Sequence, residues 1–237
     1  MRPVSTVRRL WLVRHGLPDY RCRQPGDELP GPPLSPTGWE QAAQAAAVLA
    51  DSAAEAIYAS PLARTRQTAE CIGGTLHVPV RLAGDLREWH RTERLYDVAS
   101  RLTRWLVRWL RGPEIAAVVV SHASPLLAIL RSALYLPHVG WHRSGQPDVL
   151  EVSSGDRFEV TMASVFELVF ESHCVTARCR FHPEPRILHC LHGALRRRLL
   201  RPVPGSGENW LVRRMNWLAL VGATSVELPR PADRDYR

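Results

Sequence analysis

Three short apolar runs in the first half of the chain end abruptly at polar or charged residues, which is the pattern of buried strands. They cover residues 8–13, 57–59 and 115–120, and the last is a continuous, largely β-branched run typical of a strand inside a parallel sheet. Two further segments, at residues 165–169 and 175–181, predict a closing pair of strands.

Helix signals lie between these strands. Ser35-Pro36 and Ser60-Pro61 each combine a capping hydroxyl with a proline at the first helical position. They predict helices that run to about Ala50 and to just before Gly73-Gly74. A third pair, Ser124-Pro125, predicts a helix that ends near Leu136.

The segment 97–111 is amphipathic, with apolar residues on one helical face and arginines on another. We expect a surface helix that Gly112-Pro113 ends. The predicted buried residues are Val98, Leu102, Trp105, Leu106, Trp109 and Leu110, and the predicted exposed ones are Arg101, Arg104, Arg108 and Arg111.

The alternation of strands and helices predicts an α/β fold, with three α/β/α layers around a mostly parallel central sheet. Residues 1–183 are expected to form one domain. Residues 184–237 are expected to be a C-terminal extension, helical and docked on that domain. The five prolines from Pro18 to Pro33 exclude regular structure in residues 17–36 and predict a surface loop.

The amino-acid composition excludes some classes of catalytic site. The chain has 237 residues and a formal net charge of +8, and every basic residue is an arginine, so Schiff-base lysines and P-loop lysines are excluded. Five cysteines without a Cys-x-x-Cys pair favour reduced thiols, and the sequence shows neither an apolar secretory stretch nor a membrane span, so we expect a cytoplasmic protein. The histidines and cysteines between His173 and His192 do not have zinc-ligand spacing, and we expect no metal and no cofactor.

Polar residues of one chemical kind follow the predicted strands. Arg14 and His15 follow the first, Ser60 and Arg64 the second, and His122 the third. Because ligands of such sheets bind at the carboxyl ends of the strands, we expect these side chains to meet at one edge. Two arginines and two histidines at that edge predict a pocket for a dianion.

Five motifs carry a resemblance over residues 8 to 182 to the histidine phosphatase superfamily, the phosphoglycerate-mutase-like fold. They are LVRHG at 12–16, LSPTGWEQA at 34–42, YASPLARTRQTAE at 58–70, LREW at 86–89 and VVSHASPL at 119–126. The resemblance makes residues 1–183 the catalytic domain. It also implies hydrolysis of a small phosphomonoester through a phosphohistidine.

The resemblance implies a role for each matching residue. His15 would be the nucleophile and Glu88 the general acid, with Arg14, Arg64 and His122 binding the phosphoryl oxygens and His122 also counted as catalytic. Asp85, Glu93 and Asp97 lie near Glu88 as alternative acids. Arg21, six residues after His15, either widens the anion site or is a solvated loop residue.

The sequence leaves two alternative functions open. A phosphoglycerate-type mutase is one alternative, but only 34 positions separate Glu88 from His122, which leaves little room for a lid and favours hydrolysis. A basic protein that binds nucleic acid or an acidic partner is the other, although no nucleic-acid motif accompanies Arg196-Arg197-Arg198 or the arginines of 101–111. We expect no membrane association, and the extension leaves a homodimer open.

Overall fold

A computed structural model of the chain describes residues 7–22, 25, 28–134, 149–151, 157–171, 174–181, 183 and 195–198. The four helices in this part of the chain are α1 (Pro36–Leu49), α2 (Ala63–Leu76), α3 (Leu95–Arg111) and α4 (Ala123–Ala133). The strands are β1 (Arg8–Arg14), β2 (Ala56–Ala59), β3 (Val80–Leu82), β4 (Ala116–Ser121), β5 (Val149–Glu151), β6 (Arg157–Glu159), β7 (Val165–Glu171), β8 (Cys174–Phe181) and β9 (Leu195–Arg198).

The central sheet has the strand order β3-β2-β4-β1-β7-β8-β9 over the described residues. The four strands β3, β2, β4 and β1 are parallel, whereas β7, β8 and β9 continue the sheet in antiparallel pairs. The sheet is therefore mixed, with the predicted parallel strands as one contiguous block. Strands β5 and β6 pair separately as a two-stranded ribbon.

The three predicted layers are confirmed by the way β1 divides its side chains. Leu10 and Leu12 pack into one core cluster with α3 and α4, while Trp11 and Val13 pack into another with residues of α1 and α2. Alternate residues of a strand point to opposite faces, so a fully apolar run requires a cover on both sides. The helices supply those covers.

Two predicted helix ends are wrong, both in α2. The helix begins at Ala63 rather than at Pro61, because the Ser60 hydroxyl is hydrogen bonded to the ring of His122 and does not cap the helix. It also continues through Gly73 and Gly74 to Leu76, where His77 adopts the left-handed conformation. A Cβ on Gly73 would lie 2.9 Å from the Val78 carbonyl oxygen, so this glycine permits a close approach and does not end the helix.

The other helices agree more closely with the predictions. Ser35 caps α1 by accepting a hydrogen bond from the Gly38 amide, with Pro36 at the first helical position. Helix α4 begins at Ala123 and ends at Ala133, slightly before the predicted limit. Strand β3 was not predicted, because three residues give little periodicity.

The amphipathic helix α3 contains one correction. Its predicted apolar residues are buried, and Arg104, Arg108 and Arg111 are exposed, but Arg101 is only 6% exposed. Arg101 pairs with Glu93, at 2.8 Å between Nε and Oε1, which satisfies its charge inside the protein. Periodicity alone placed it on the solvent face, because periodicity does not register a buried partner.

The described part of the predicted extension is β9, which extends the sheet by pairing with β8. The rest of residues 184–237 lies outside the described residues, so its helical character stays a prediction. Of the His173–His192 cluster, only Cys174 and Cys179 are described. Within the described ranges, no helix is long and apolar enough to cross a membrane.

Candidate active site

The carboxyl ends of the parallel strands bring together the residues that the sequence placed there. Arg14 ends β1 and His15 follows it, His122 follows β4, and Arg64 lies in the first turn of α2. His15, Arg64 and His122 are buried, at 3% exposure or less. Burial of two imidazoles and a guanidinium in contact is unusual in a protein core and marks a candidate functional site.

Hydrogen bonds determine the tautomer of His15. Its Nδ1 lies 2.7 Å from the carbonyl oxygen of Gly16, which can only accept, so Nδ1 carries the proton. The Nε of Arg64 donates to Nε2 of His15 over 3.0 Å, so Nε2 presents its lone pair. The ring is therefore neutral, with a nucleophilic nitrogen directed at a guanidinium.

His122 has the opposite tautomer. Nη2 of Arg64 donates to its Nδ1 over 3.0 Å, and its Nε2 donates to the Ser60 hydroxyl over 2.9 Å. The two imidazole rings meet edge to face with their centroids 5.0 Å apart. One guanidinium thus aligns both rings, and Ser60 holds the second ring from behind.

Both histidines stay uncharged well into the acidic range. Burial is the main cause that lowers the pKa of His15 well below 6.5, and the charges of Arg64 and Arg14 lower it further. Burial also lowers the pKa of His122 well below 6.5, with further contributions from His15, Arg64, Arg14 and Arg101. A neutral ring is the form that can act as a nucleophile.

Close backbone packing holds the loop after β1 against the start of α1. A Cβ on Gly16 would lie 2.3 Å from the carbonyl oxygen of Gly38, and a Cβ on Gly38 would lie 2.1 Å from that of Leu17. Neither position has room for a side chain. The amide of Gly16 donates to the Thr68 hydroxyl of α2, over 3.1 Å, so both helices fix the loop that carries His15.

The predicted acid, Glu88, lies beside the histidines. Its Oε2 is 3.7 Å from Nδ1 of His122, and its side chain is 24% exposed. Its other oxygen, Oε1, accepts the Trp89 amide over 2.8 Å. The loop is attached to the end of β4, because the Ser121 hydroxyl donates to the Leu86 carbonyl over 2.6 Å. Glu88 therefore combines a fixed position with access to solvent, as a proton donor requires.

The three alternative acids have other partners. Asp85 forms an ion pair with Arg108, and Asp97 accepts the backbone amide that precedes α3. For Glu93, burial favours a higher pKa, but hydrogen bonds from Arg101 and the His90 amide outweigh it and lower the pKa. Glu93 stays ionised in its ion pair and cannot donate a proton, and Asp85 and Asp97 bind groups away from the histidines, so the geometry favours Glu88.

The proline-rich loop borders the site. The Pro30 carbonyl accepts the Ala63 amide at the start of α2, over 2.7 Å. Gly31 has φ +69°, and a Cβ there would lie 3.1 Å from Nη1 of Arg64. Glu28 of this loop pairs at 2.8 Å with Arg91 of the loop that carries Glu88. An exposed ion pair thus joins the two loops, one of which borders Arg64.

Arg14 and Arg21 differ in where the structure places them. Nη1 of Arg14 donates to the Val160 carbonyl over 2.6 Å, which orients its guanidinium at the end of β1. Arg21 lies in an exposed 3-10 turn, with a side chain 82% exposed, and its fork binds both oxygens of Asp19 at 2.8 Å. The structure does not bring Arg21 to the buried cluster, which favours the reading of a solvated loop residue.

Sequence reasoning missed the contacts that two residues make in the site. Ser60 was assigned to a helix cap, yet it holds His122, and Arg101 was assigned to solvent, yet it reaches the backbone of Glu88 over 3.2 Å. The Ser60 position lay within a quoted motif, so its type was visible although its partner was not. Nothing in the periodicity of α3 distinguished Arg101 from its exposed neighbours.

Comparison with known proteins agrees with this geometry. The sequence model of the histidine phosphatase superfamily, branch 1, matches residues 10–93. An uncharacterized phosphatase, PhoE of Bacillus subtilis (strain 168), is 36% identical over 77 residues, which are 32% of this chain and 40% of that protein. The chain therefore aligns with less than half the length of this relative.

Solved structures share the fold over a larger span. Mycobacterial hydrolase 1 is 25% identical with a TM-score of 0.56, over 73% of this chain and 96% of that one. A mycobacterial glucosyl-3-phosphoglycerate phosphatase is 24% identical with a TM-score of 0.54, over 69% of this chain and 90% of that one. Residues 10–93 are thus similar to branch 1 of the histidine phosphatase superfamily, and the chain shares the fold of these solved structures.

Proposed function

We propose that this protein hydrolyses phosphomonoesters through a covalent phosphohistidine on Nε2 of His15. The observation that carries the proposal is the pair of hydrogen bonds that leaves this nitrogen unprotonated and directed at the guanidinium of Arg64. A dianionic phosphoryl group that binds between His15 and Arg64 takes over the hydrogen bond that Arg64 otherwise donates to Nε2 of His15. The lone pair of Nε2 then faces the phosphorus atom, as in-line attack requires.

Binding uses donors that already line the site. Arg14 and Arg64 supply hydrogen bonds to the non-bridging oxygens, and planar guanidinium forks match their geometry. His122 joins them as a donor when its Nδ1, which accepts from Arg64 in this structure, carries a proton. The positive charges offset the negative charge that develops during transfer. Because the cluster is buried, these interactions are stronger than in water.

The first half-reaction forms the N–P bond and breaks the ester P–O bond. The Nε2 lone pair of His15 attacks phosphorus, and the bridging oxygen leaves with the electron pair of the P–O bond. Glu88, entering with a proton, transfers it to that oxygen, so that an alcohol departs and the carboxylate remains. The proton on Nδ1 stays there, and its hydrogen bond to the Gly16 carbonyl stabilises the ring as the ring gains positive charge.

The second half-reaction returns the enzyme to its starting state. The carboxylate of Glu88 takes a proton from water, whose oxygen attacks phosphorus as the N–P bond breaks. His15 recovers its Nε2 lone pair, Glu88 recovers its proton and inorganic phosphate leaves. The side chain of Glu88 is accessible enough to reach water, at 24% exposure.

We propose hydrolysis rather than mutase chemistry from the segment between Glu88 and His122. Helix α3 and strand β4 occupy most of it, which leaves it without a long inserted lid. A mutase has to keep water from its phosphorylated intermediate, whereas a hydrolase has to admit it. Cytoplasmic location, a small-molecule substrate and dimer formation stay predictions.

The direct test compares phosphate release by the wild type and His15→Ala over a panel of phosphomonoesters. The panel includes sugar phosphates, nucleoside 5′-phosphates and phosphoglycerate derivatives, the last suggested by the name of the mycobacterial neighbour. We expect chelator-insensitive release by the wild type and none by the variant. His77→Asn is the matched control, since His77 is exposed and asparagine tolerates its left-handed backbone.

Two further readouts separate the alternatives. Enzyme incubated with ³²P-labelled substrate and denatured in alkali should carry an acid-labile label that His15→Ala lacks. Interconversion of phosphoglycerate isomers without free phosphate would instead indicate a mutase. Salt-dependent DNA binding in a protein that releases no phosphate from any ester would indicate the nucleic-acid alternative.

A further inference from the structure

Arg101 of α3 is a buried charged residue that contacts the loop carrying Glu88. Its side chain is 7% exposed. Nε and Nη2 bind the two oxygens of Glu93 at 2.8 and 3.1 Å, a bidentate pair. The same guanidinium also donates to the backbone carbonyls of Asp85 and of Glu88, the latter over 3.2 Å.

These contacts span the loop on both sides of the acid. Asp85 lies three residues before Glu88 and Glu93 lies five residues after it. Glu93 in turn accepts the His90 amide over 2.9 Å, and its own carbonyl accepts the Trp89 indole N–H over 2.8 Å. One guanidinium on a regular helix thus holds the start, the middle and the end of this loop.

Charge neutralisation alone does not explain this arrangement. An ion pair between Arg101 and Glu93 requires only the contacts to the carboxylate, yet Arg101 also binds the main chain of Glu88 itself. A planar guanidinium with five donors in fixed directions can bind all of these groups at once, whereas an ammonium cannot. The contact to the Glu88 carbonyl sets the backbone from which the carboxyl group projects.

We propose that Arg101 is a positioning residue that places the carboxyl group of Glu88 for proton transfer to the leaving group. The proposal rests on the proposed function. Proton transfer requires hydrogen-bond distance between acid and leaving oxygen, and a displacement of about 1 Å can lower a rate by about 100-fold. Loss of Arg101 therefore acts on the step that uses the acid, and not on binding of the phosphoryl group.

This gives a test that a purely structural role does not pass. Alkyl phosphates have a basic leaving oxygen that needs a proton, whereas aryl phosphates with an acidic phenol do not. Arg101→Met should lower kcat/KM for an alkyl phosphate by about 10- to 100-fold and for 4-nitrophenyl phosphate by less than about 3-fold. We choose kcat/KM because it reports the steps up to departure of the alcohol, whichever half-reaction limits turnover.

Two comparisons complete the experiment. Arg104→Met is the matched control, because Arg104 lies on the same helix, is exposed and is three residues away. It should leave both substrates unchanged. Glu88→Gln should show the same dependence on leaving group as Arg101→Met, and the double variant should lose no more than Glu88→Gln alone, since both changes remove one function.

Two results would overturn the positioning role of Arg101. Equal losses on both substrates, or losses that multiply in the double variant, overturn the proposal, because removal of a general positive charge or partial unfolding affects every substrate alike. If Arg101→Met does not fold, the same measurements are made on Arg101→Lys. Its kcat/KM should fall by less, and again more for the alkyl phosphate than for 4-nitrophenyl phosphate. Failure of the proposed function is separate, since the wild type would then form no phosphohistidine and release no phosphate.

Discussion

The buried histidines make the stability of this protein depend on pH. In the folded state, burial and the neighbouring arginines hold the pKa values of His15 and His122 well below 6.5. In the unfolded chain both rings are solvated and take up protons near pH 6.5. Below that pH the unfolded state binds more protons, so the free energy of unfolding falls as the pH falls.

The size of the effect follows from proton counting. A ring that is protonated only in the unfolded state contributes a slope of about 1.4 kcal/mol per pH unit. Two such rings contribute about 2.7 kcal/mol per pH unit once the pH is well below 6.5, and nothing to the slope well above it. The free energy of unfolding keeps falling as the pH is lowered, until the rings of the folded protein themselves accept protons.

The assay is urea unfolding between about pH 5 and pH 7.5, in buffers without phosphate, because a bound anion would change the folded-state pKa values. His15→Asn removes one titrating ring but keeps a donor for the Gly16 carbonyl, so the slope below about pH 6 should fall by about 1.4 kcal/mol per pH unit. His77→Asn removes an exposed histidine and should keep the wild-type slope. An unchanged slope in His15→Asn would refute the assignment of a neutral, buried ring.

Three further predictions concern single positions. Arg64→Lys keeps the charge but cannot bind both rings, so kcat/KM should fall by about 100-fold or more; steady-state kinetics checks this, and a loss below about 3-fold contradicts the role of the fork. Gly38→Ala places a methyl group 2.1 Å from the Leu17 carbonyl oxygen and should lower the free energy of unfolding by about 2 kcal/mol or more, as measured by urea unfolding. In the control Gly74→Ala the added methyl group meets nothing within 4 Å inside α2, so the free energy of unfolding should rise by about 0.5 kcal/mol. Ser60→Ala removes the acceptor for His122 Nε2 and should lower kcat while KM changes little; a rise in KM alone would assign Ser60 to substrate binding.

Much of the site followed from local sequence. Arg14, His15 and His122 come directly after apolar strands, and parallel neighbouring strands bring their carboxyl ends to one edge. The order of strands and helices therefore predicted where these side chains meet. The motif resemblance added Glu88, and the structure places both Glu88 and Arg64 beside the histidines.

Other features had no local signal. Arg101 and Arg104 occupy the same helix in similar surroundings of sequence, and only the first meets a carboxylate from another part of the chain. Ser60 reaches a ring 62 positions away, and Arg21 turns to Asp19 rather than to the pocket. Each outcome depends on which partner lies within hydrogen-bond distance.

The sequence by itself determined the four helices, the strands β1, β2, β4, β7 and β8, and the edge at which the polar site residues collect, because hydrophobic periodicity and strand termination act over a few residues. Tertiary structure alone decided the tautomers of His15 and His122, the burial of Arg101, and the addition of β9 to the sheet. Those properties come from hydrogen bonds and charges between residues distant in the chain, and such pairings exist only once the layers have packed.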